Sequence, residues 1–499
     1  MLYYNHILIF GGISMKRIIS FVIAFAALIS CLALASCAEN SQKGPDGDLD
    51  RPDDESRWLD DIPEEVTLEG KEVTFVGYQN QGAFETGLSG THADENTGDS
   101  VVSALFESEK AIEERFGVDI WFIDASNTLS ISIKGQLMAG DTDYDVLCGY
   151  GFFDISLAAE GYVLNLNDLS RWEADDIIDH EKPYWFTQYI DGITYRDNMC
   201  WLVGDISTLT LGCMYVTFVG AQLYERVCLE TYGSIYDIVT SGGWNLDVLA
   251  EMASLAYSDK NGNDVADLGD SFGWSTSWVD VVEGMTMGAG FEYSSKQADG
   301  SITLTINSQH NINVISKLYA LKRASYSFVT PDDPDTMLDF KAGNILFTVN
   351  DLRLAEMYLR EMETDYYILP TPKFDANQSE YRTAVHDEYP LFGISYASDE
   401  VYASAVVLEA LCAEHSRVVR PKYYDEALKY KYSRDDESAE MIDIVRDSVY
   451  TDFVFAWNNS VNKVTHSIRD LPANPASLFR KNESSWNTAL NNLLTSLST

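Results

Sequence analysis

The chain has 499 residues, enough for more than one domain at roughly 100–200 residues each, and 46% of them are hydrophobic. It contains 78 acidic and 34 basic residues, a formal net charge of −44. This balance argues against nucleic acid as a partner, because phosphate backbones are bound by Lys and Arg, and against electrostatic adhesion to anionic lipid. We interpret the acidity as a property of a soluble surface.

The first segment carries the marks of secretion. A short basic region precedes an apolar run, residues 18–34, that ends in Leu-Ala-Ser-Cys (34–37). A basic region, an apolar stretch and a small-residue cleavage site are typical of a secretory signal peptide, and these last four residues resemble the bacterial lipobox. A transmembrane helix is the alternative, but the small residues before Cys37 and the acidic segment after it favour cleavage. We predict a signal peptide over residues 1–36, with translation starting at Met15, and a lipid anchor on Cys37.

A tether follows the lipidated cysteine. Residues 37–66 are acidic, contain proline and glycine, and have few apolar side chains. Such a segment buries too little surface to fold. We expect it to hold the folded part at the outer face of the cell membrane.

The folded part opens with alternating strands and helices. A strand at 71–78 is followed by a helix at 100–116, capped by Asp99 and stopped by Gly117. Further candidates follow in chain order: a strand at 118–124, a helix at 129–138 and a strand at 144–150. This alternation predicts a parallel sheet, whose ligands lie beyond the carboxyl ends of the strands. Residues 78–85 and 150–154 would then lie at the mouth of a site.

A second alternation covers the rest of the chain. We predict extended strands within 194–219, a helix over 245–258 with Asn245 as its cap, and strands at 344–349 and 365–370. A strand at 390–396 and a helix at 400–414 come next. The sequence therefore predicts an α/β fold of two units, with several crossings of the chain between them.

Cysteines give no disulfide framework. Five remain after the signal peptide and Cys37, at positions 148, 200, 213, 228 and 412, and none forms a C-x-x-C pair. We expect buried apolar thiols, with an anaerobic host as the alternative.

Four segments carry a resemblance to a known family. They are YDVLCGYGFFDISLAAEGYVLNLNDL (144–169), IYDIVTSGGWNLDVLAEMA (235–253), DYYILPTPKFDANQSEY (365–381) and VVLEALCAE (406–414). In this order they resemble segments of the extracellular solute-binding proteins of ATP-binding cassette (ABC) importers, in the family 1-like branch that takes up sugars and oligosaccharides. The resemblance implies a two-lobed periplasmic-binding-protein-like clamp (type II) with a ligand cleft between lobes joined by a multi-strand hinge. It also implies delivery of a carbohydrate to an ABC permease by a monomer.

The same resemblance divides the mature chain. The N-terminal lobe comprises residues 67–217 with part of 380–499, and the C-terminal lobe comprises residues 218–379 with part of 380–499.

Sugars offer hydroxyl groups to polar side chains and apolar ring faces to aromatic ones, and this chemistry selects the candidate ligand-binding residues. Strand ends and loops supply the candidates: Tyr78, Glu85, Tyr150, Phe152, Phe153, Trp274, Trp278, Arg353 and Glu388, the last beside Asp387. The alternative for the aromatics is core packing, and for the charged residues a surface ion pair or a helix cap.

Residues 259–270, DKNGNDVADLGD, resemble a calcium loop. Oxygen-bearing groups fall at the spacing that a hard cation needs: Asp259, Asn261, Asn263, Val265 through its carbonyl, Asp267 and Asp270. Asp264 departs from the pattern by replacing the usual glycine, and Asp270 is shorter than the usual glutamate. The sequence thus leaves open a structural calcium ion or a plain Asn/Asp/Gly-rich turn.

Catalysis finds little support. The chain lacks G-x-S-x-G, H-E-x-x-H, a phosphate loop and a paired-cysteine zinc pattern, and no cofactor is required. We therefore expect a binding protein and not an enzyme. A secreted glycoside hydrolase and a ligand-sensing lipoprotein that reports to a receptor remain the alternatives.

Overall fold

A computed structural model describes residues 55–78, 90–140, 143–267, 270–277, 281–330, 333–359, 361–429 and 436–498. The chain from Ser56 onward forms one compact unit, so residues 56–66, the last part of the predicted tether, are folded, with Ile62 buried and Asp60 paired with Arg115. The predictions that concern the signal peptide, Cys37, Glu85 and Trp278 lie outside the described residues. Among the helices that are described, none is both long and apolar enough to cross a membrane.

Strands of the described residues are, in chain order, β1 (Lys71–Gly77), β2 (Val118–Asp124), β3 (Val146–Tyr150), β4 (Tyr215–Gly220), β5 (Phe272–Ser277), β6 (Ser294–Lys296), β7 (Ile302–Leu304), β8 (Ser327–Thr330), β9 (Ile345–Asp351), β10 (Tyr366–Pro370) and β11 (Pro390–Ile394).

The α-helices are α1 (Ser100–Phe116), α2 (Leu129–Ser132), α3 (Lys134–Ala139), α4 (Gly151–Asp154), α5 (Ser156–Ala159), α6 (Thr187–Ile193), α7 (Thr208–Gly212), α8 (Ala221–Val227), α9 (Leu229–Tyr232), α10 (Ile235–Thr240), α11 (Leu246–Ala256), α12 (Thr286–Gly288), α13 (Gln309–Lys322), α14 (Asp333–Lys341), α15 (Arg353–Leu359), α16 (Val401–Lys429), α17 (Asp436–Asp447), α18 (Phe453–Ala456) and α19 (Pro475–Ser496). Short 3-10 helices lie at Glu55–Trp58, Ser170–Trp172, Asn458–Val461 and Val464–Ser467, and a π-helical turn at Val281–Met285.

The first sheet has the strand order β11-β3-β1-β2, with β1, β2 and β3 parallel and β11 antiparallel to β3. Helix α1 crosses between β1 and β2, as its pattern predicts. The carboxylate of Asp99 accepts the N–H groups of Val101 and Val102 at 2.9 and 3.0 Å, and Gly117 ends the helix at a φ of 63°. The predicted parallel sheet with crossover helices is confirmed.

The second sheet has the order β10-β4-β9-β5-β8, with β5, β8 and β9 parallel and β4 antiparallel to both of its neighbours. Every residue of β4, β5 and β9 is buried. These strands are therefore covered on both faces, which explains why their sequences do not alternate between apolar and polar residues. We call the parts built on the two sheets the first and the second lobe.

Two elements differ in type or continuity from the sequence-based expectation, and the helix predicted at 400–414 extends to Lys429. Residues 194–219 do not form extended strands throughout: they contain α7, and only β4 joins a sheet. Every residue from 199 to 220 is buried, and a mostly apolar run without clear periodicity does not distinguish a strand from a buried helix or loop. The helix predicted at 129–138 divides into α2 and α3 at Ile133, whose φ of −119° departs from helical geometry.

The connections between the sheets run side by side. On the path from the first lobe to β4, Tyr215 donates its N–H to Ala384 at 3.0 Å, and on the return path His386 donates to Cys213 at 2.8 Å. A third segment, after α17, pairs with the return path through Thr383 and Val449. We call these three segments, 213–215, 383–386 and 448–450, the hinge segments. They correspond to the expected multi-strand hinge.

The predicted lobe ranges stay a prediction, and the boundary between residues 217 and 218 falls inside β4. Among the described residues, the five cysteines are buried and none is disulfide bonded, as expected from their scattered spacing.

Candidate functional site

Three aromatic side chains lie where β1 and β3 end. These strands are parallel neighbours, so their carboxyl ends bring Tyr78 and Tyr150 together, with ring centroids 5.8 Å apart. Phe153 in α4 packs edge-on against Tyr150 at 5.4 Å and is 50% exposed. We call Tyr78, Tyr150 and Phe153 the aromatic wall. It presents apolar ring surface at the edge of the first sheet where parallel α/β sheets bind ligands.

A polar network joins this wall to the second lobe. Arg353 begins α15 just after β9, and its Nε donates to Asp351 Oδ1 at 3.1 Å while its Nη1 donates to Glu388 Oε2. Glu388 also accepts the hydroxyl hydrogen bond of Tyr150. Burial opposes the ionisation of Glu388, but the guanidinium of Arg353 outweighs it and lowers the pKa of Glu388 to about 2. Tyr150, Arg353 and Glu388, all predicted from the sequence, are thus brought together.

Beside this network lie Asp387, which the sequence analysis noted next to Glu388, and three groups that it did not single out, namely His386, Tyr215 and Glu283. His386 Nδ1 is 3.2 Å from Asp387 Oδ1, and the hydroxyl of Tyr215 donates to Glu283 at 2.9 Å. Burial, together with the charge of Asp387, raises the pKa of Glu283 to about 8, so this carboxyl holds its proton more tightly than an exposed glutamate does. Burial acts to lower the pKa of His386, but the carboxylates of Asp387 and Glu283 outweigh it and raise that pKa.

Arg469 contributes a second guanidinium from the C-terminal part of the chain. Its Nη2 lies 2.6 Å from His466 Nε2, and its charge acts on Glu283 and Asp387. We call the region between the aromatic wall and these groups the cleft. The sequence could have indicated His386, because the titratable pair His386–Asp387 directly precedes a predicted strand. Nothing in the sequence indicated Arg469, which lies in a stretch without helical or strand periodicity.

The fold has counterparts among solved structures. An ABC substrate-binding protein of Listeria monocytogenes in complex with cycloalternan is 16% identical, with a TM-score of 0.51 over 85% of this chain and 99% of that one. UgpB of Mycobacterium tuberculosis in complex with glycerophosphocholine is 12% identical, with a TM-score of 0.53 over 79% and 97%. A cyclo/maltodextrin-binding protein complexed with maltotetraose is 12% identical, with a TM-score of 0.52 over 86% and 96%.

The chain has the fold of the ABC substrate-binding proteins. The predicted two-lobed type II architecture is therefore confirmed. At these identities the likeness concerns the fold alone. No protein-family model and no curated protein sequence matches the chain.

Within this substrate-binding-protein fold, Trp274 does not lie in a loop, and that prediction was wrong. It lies in β5, between β8 and β9, and is fully buried. The Gly/Ser/Thr-rich sequence around it forms a strand because small side chains fit a sheet that is covered on both faces. Trp274 is a core residue of the second lobe and offers no surface for a sugar.

Phe152 is also turned away from the cleft. It is 3% exposed, and its ring packs against Phe455 at 5.2 Å and Tyr389 at 6.5 Å. Its neighbour Phe153 is half exposed because successive residues of a helix point in different directions. Phe152 is therefore a packing residue, contrary to its predicted ligand-binding role.

The calcium-like loop brings several of its predicted ligands together. Asn261 and Asn263 each donate a side-chain hydrogen bond to Asp267, at 2.9 and 2.7 Å, and Asp259 accepts the N–H of Asp264 at 2.9 Å. Asp264 has a φ of 60°, the left-handed conformation that glycine supplies in the calcium pattern. Around this turn, Asn263 accepts the Val265 N–H at 2.7 Å, and Asp270 accepts those of Lys260 and Asp267 at 3.0 and 3.3 Å.

Calcium binding at this loop stays a prediction. Nowhere in the described ranges do three or more His, Cys, Asp or Glu side chains group as a metal site. The loop would instead use amide oxygens together with Asp259 and Asp267, a donor set that suits a hard cation.

We expect calcium to raise the thermal midpoint of unfolding, because an ion that binds only the folded state stabilises it by about 2.7 kcal/mol at one hundred times its Kd. Midpoints measured with calcium and with a chelator should differ in the wild type and coincide in Asp259→Ala. The control is Asp299→Ala, which alters a different exposed turn and should keep the calcium effect. Equal wild-type midpoints would leave only a plain turn.

Proposed function

We propose that the chain is a cell-surface solute-binding protein that captures a carbohydrate in the cleft and delivers it to an ABC permease. The observation that carries this proposal is the pairing of an aromatic wall, half exposed at Phe153, with hydrogen-bonding groups from the other lobe. Pyranose rings need both: an apolar face to stack and acceptors for their hydroxyl groups. We further propose that the protein acts as a monomer on the outer face of the membrane, held by a lipid on Cys37.

Two solved structures of the same fold support the choice of ligand class. The Listeria protein is in complex with cycloalternan and the cyclo/maltodextrin-binding protein with maltotetraose, both of which are oligosaccharides. The aromatic wall lies at the carboxyl ends of β1 and β3, and Phe153 is its most exposed member.

Phe153→Ala tests the wall. Removing one stacking surface is expected to cost on the order of 2 kcal/mol of binding free energy, which is roughly a thirtyfold rise in Kd. Calorimetric titration of an oligosaccharide found by glycan screening measures this, and stability should change little because the side chain is half exposed. The matched control is Trp121→Ala, an aromatic that is 57% exposed in the middle of edge strand β2 and should leave binding unchanged. Unaltered affinity in Phe153→Ala would contradict the proposed wall.

The runner-up function is a secreted glycoside hydrolase. The pKa of Glu283 is raised and that of Glu388 is lowered, which is the division between acid and nucleophile that such enzymes use. However, Glu388 already pairs with Arg353 and Glu283 accepts a hydrogen bond from Tyr215, so neither carboxyl is poised for a sugar. Release of reducing ends from an oligosaccharide panel would favour the hydrolase, whereas binding without release favours capture. Sensing for a receptor is distinguished by a neighbouring sensor-kinase gene in place of permease genes.

Lipid anchoring has its own test. In Cys37→Ser we expect loss of metabolic lipid labelling and accumulation of the uncleaved precursor, because lipidation and cleavage at the lipobox both require the cysteine thiol. Labelling with a radioactive fatty acid and the mass of the purified protein measure the two effects. A labelled Cys37→Ser protein would contradict the anchor.

A further inference from the structure

We infer that the cleft selects its carbohydrate by charge: it admits neutral and amine-bearing saccharides and excludes those that carry a carboxylate, sulfate or phosphate group. This inference rests on the proposed capture of a carbohydrate and adds the class of carbohydrate to it. Its basis is the way in which the positive and negative groups of the cleft are matched.

Arg353 carries the guanidinium that could pair with an acidic sugar, but it already pairs with two carboxylates of the protein. Its Nε and Nη2 donate to the two oxygens of Asp351, at 3.1 and 3.3 Å, and its Nη1 donates to Glu388. The side chain is only 11% exposed. Two carboxylates thus face one guanidinium, and an incoming anion would have to displace one of them and then lie beside it. Like charges brought together in a partly desolvated site repel each other strongly, so displacement is unfavourable.

The other positive groups of the cleft have partners as well. His386 pairs with Asp387 at 3.2 Å, and Arg469 Nη2 lies 2.6 Å from His466 Nε2, with the charge of Asp387 acting on it. By contrast, Asp387 and Glu388 keep 31% and 29% of their side chains exposed. Carboxylate oxygens accept hydrogen bonds from hydroxyl and ammonium groups, which neutral and amine-bearing sugars supply. The accessible polar surface therefore suits donors and offers little to an anion.

Charge at longer range acts in the same direction. The whole chain has a formal net charge of −44, and such a field lowers the local concentration of anions. This part of the discrimination should weaken as salt is added, whereas the contribution of the partly buried pairs should persist.

The test compares matched ligands on the full chain. A glycan array identifies a neutral oligosaccharide that binds; the same oligosaccharide is then oxidised at one hydroxymethyl group to a carboxylate, or given one amine in place of a hydroxyl. Titration calorimetry should show the oxidised form binding at least about tenfold more weakly than the neutral parent, and the amine form binding no more weakly. Equal or tighter binding of the oxidised form would overturn the charge selection while leaving carbohydrate capture intact. Absence of any saccharide binding would overturn capture, and the charge selection with it.

A variant of Glu388 tests separately whether the carboxylates around Arg353 cause the exclusion of anionic saccharides. Glu388→Gln removes one of the two carboxylates that face Arg353 while keeping the shape of the side chain, so it should reduce the penalty for the oxidised ligand by at least about threefold relative to the neutral parent. The control is Glu414→Gln, which removes the partner of Arg417 in a surface pair of α16 and should leave the ratio unchanged. A ratio unchanged in Glu388→Gln would contradict the role given to Arg353. If that variant fails to fold, the wild-type comparison of the ligands still decides the inference.

Discussion

Trp274→Ala is expected to lower the free energy of unfolding by about 3–5 kcal/mol, the usual cost of removing a large aromatic side chain from a core. Trp274 is fully buried in β5, and the strands on either side of it prevent the sheet from closing over the space left behind. Denaturant unfolding, followed by circular dichroism, measures the effect. Because the residue lies in the second lobe away from solvent, any weakening of sugar binding should follow from lost folding.

Two further tryptophan variants, one at the same position and one at Trp121, separate packing from binding. Trp274→Phe should cost much less than Trp274→Ala, because it keeps most of the volume and the indole nitrogen of Trp274 has no hydrogen-bond partner among the described residues. Trp121→Ala, at 57% exposure, should change stability by no more than about 0.5 kcal/mol. A Trp274→Ala protein that is as stable as the wild type but impaired in sugar binding would instead support the ligand-binding role that the sequence predicted for Trp274.

The sequence predicted Trp274 as a ligand residue because it gave no sign that β5 is covered on both faces. A strand with one solvated face alternates between apolar and polar residues, whereas a fully covered strand does not. The small polar residues around Trp274 are therefore compatible with either a loop or a buried strand. Only the neighbouring strands, which come from residues more than fifty positions away, decide between them.

The position of the aromatic wall could be predicted because it depends only on where two neighbouring parallel strands end. Tyr78 and Tyr150 follow two strands of one parallel run, and parallel neighbours end at the same edge. The partner of Arg353 could not be predicted in this way. Glu388 reaches Tyr150 because β11 pairs antiparallel with β3, with Pro390 opposite Tyr150, and the chain returns to the first sheet after crossing the whole second lobe. The sequence pattern around Arg353 and that around Glu388 contain no sign that these two residues form an ion pair.

Arg353→Met is expected to lower the free energy of unfolding by about 3 kcal/mol at pH 7, because it leaves two carboxylates without their common counter-charge. Asp351 is 3% exposed and Glu388 29%, so the second is partly relieved by solvent. For this reason we place the loss at the lower end of the range for a broken buried pair. Methionine keeps the length of the side chain, so the change tests charge more than packing. Arg417→Met is the control, since its surface pair with Glu414 should be worth no more than about 1 kcal/mol.

The pH dependence of this loss identifies its electrostatic origin. In the wild type the pKa of Glu388 falls from its ordinary 4.5 to about 2 on folding, so its contribution is present above pH 4.5 and is lost as the pH falls toward 2. In Arg353→Met, burial is no longer outweighed, and the pKa of Glu388 in the folded state rises above its unfolded value. A raised carboxyl pKa means that the folded variant binds the proton more tightly, so acidification relieves the penalty. The stability difference between wild type and variant should therefore shrink as the pH is lowered from 7 to 4.5. A difference that stays constant over this range would show that Arg353 acts through packing and not through charge.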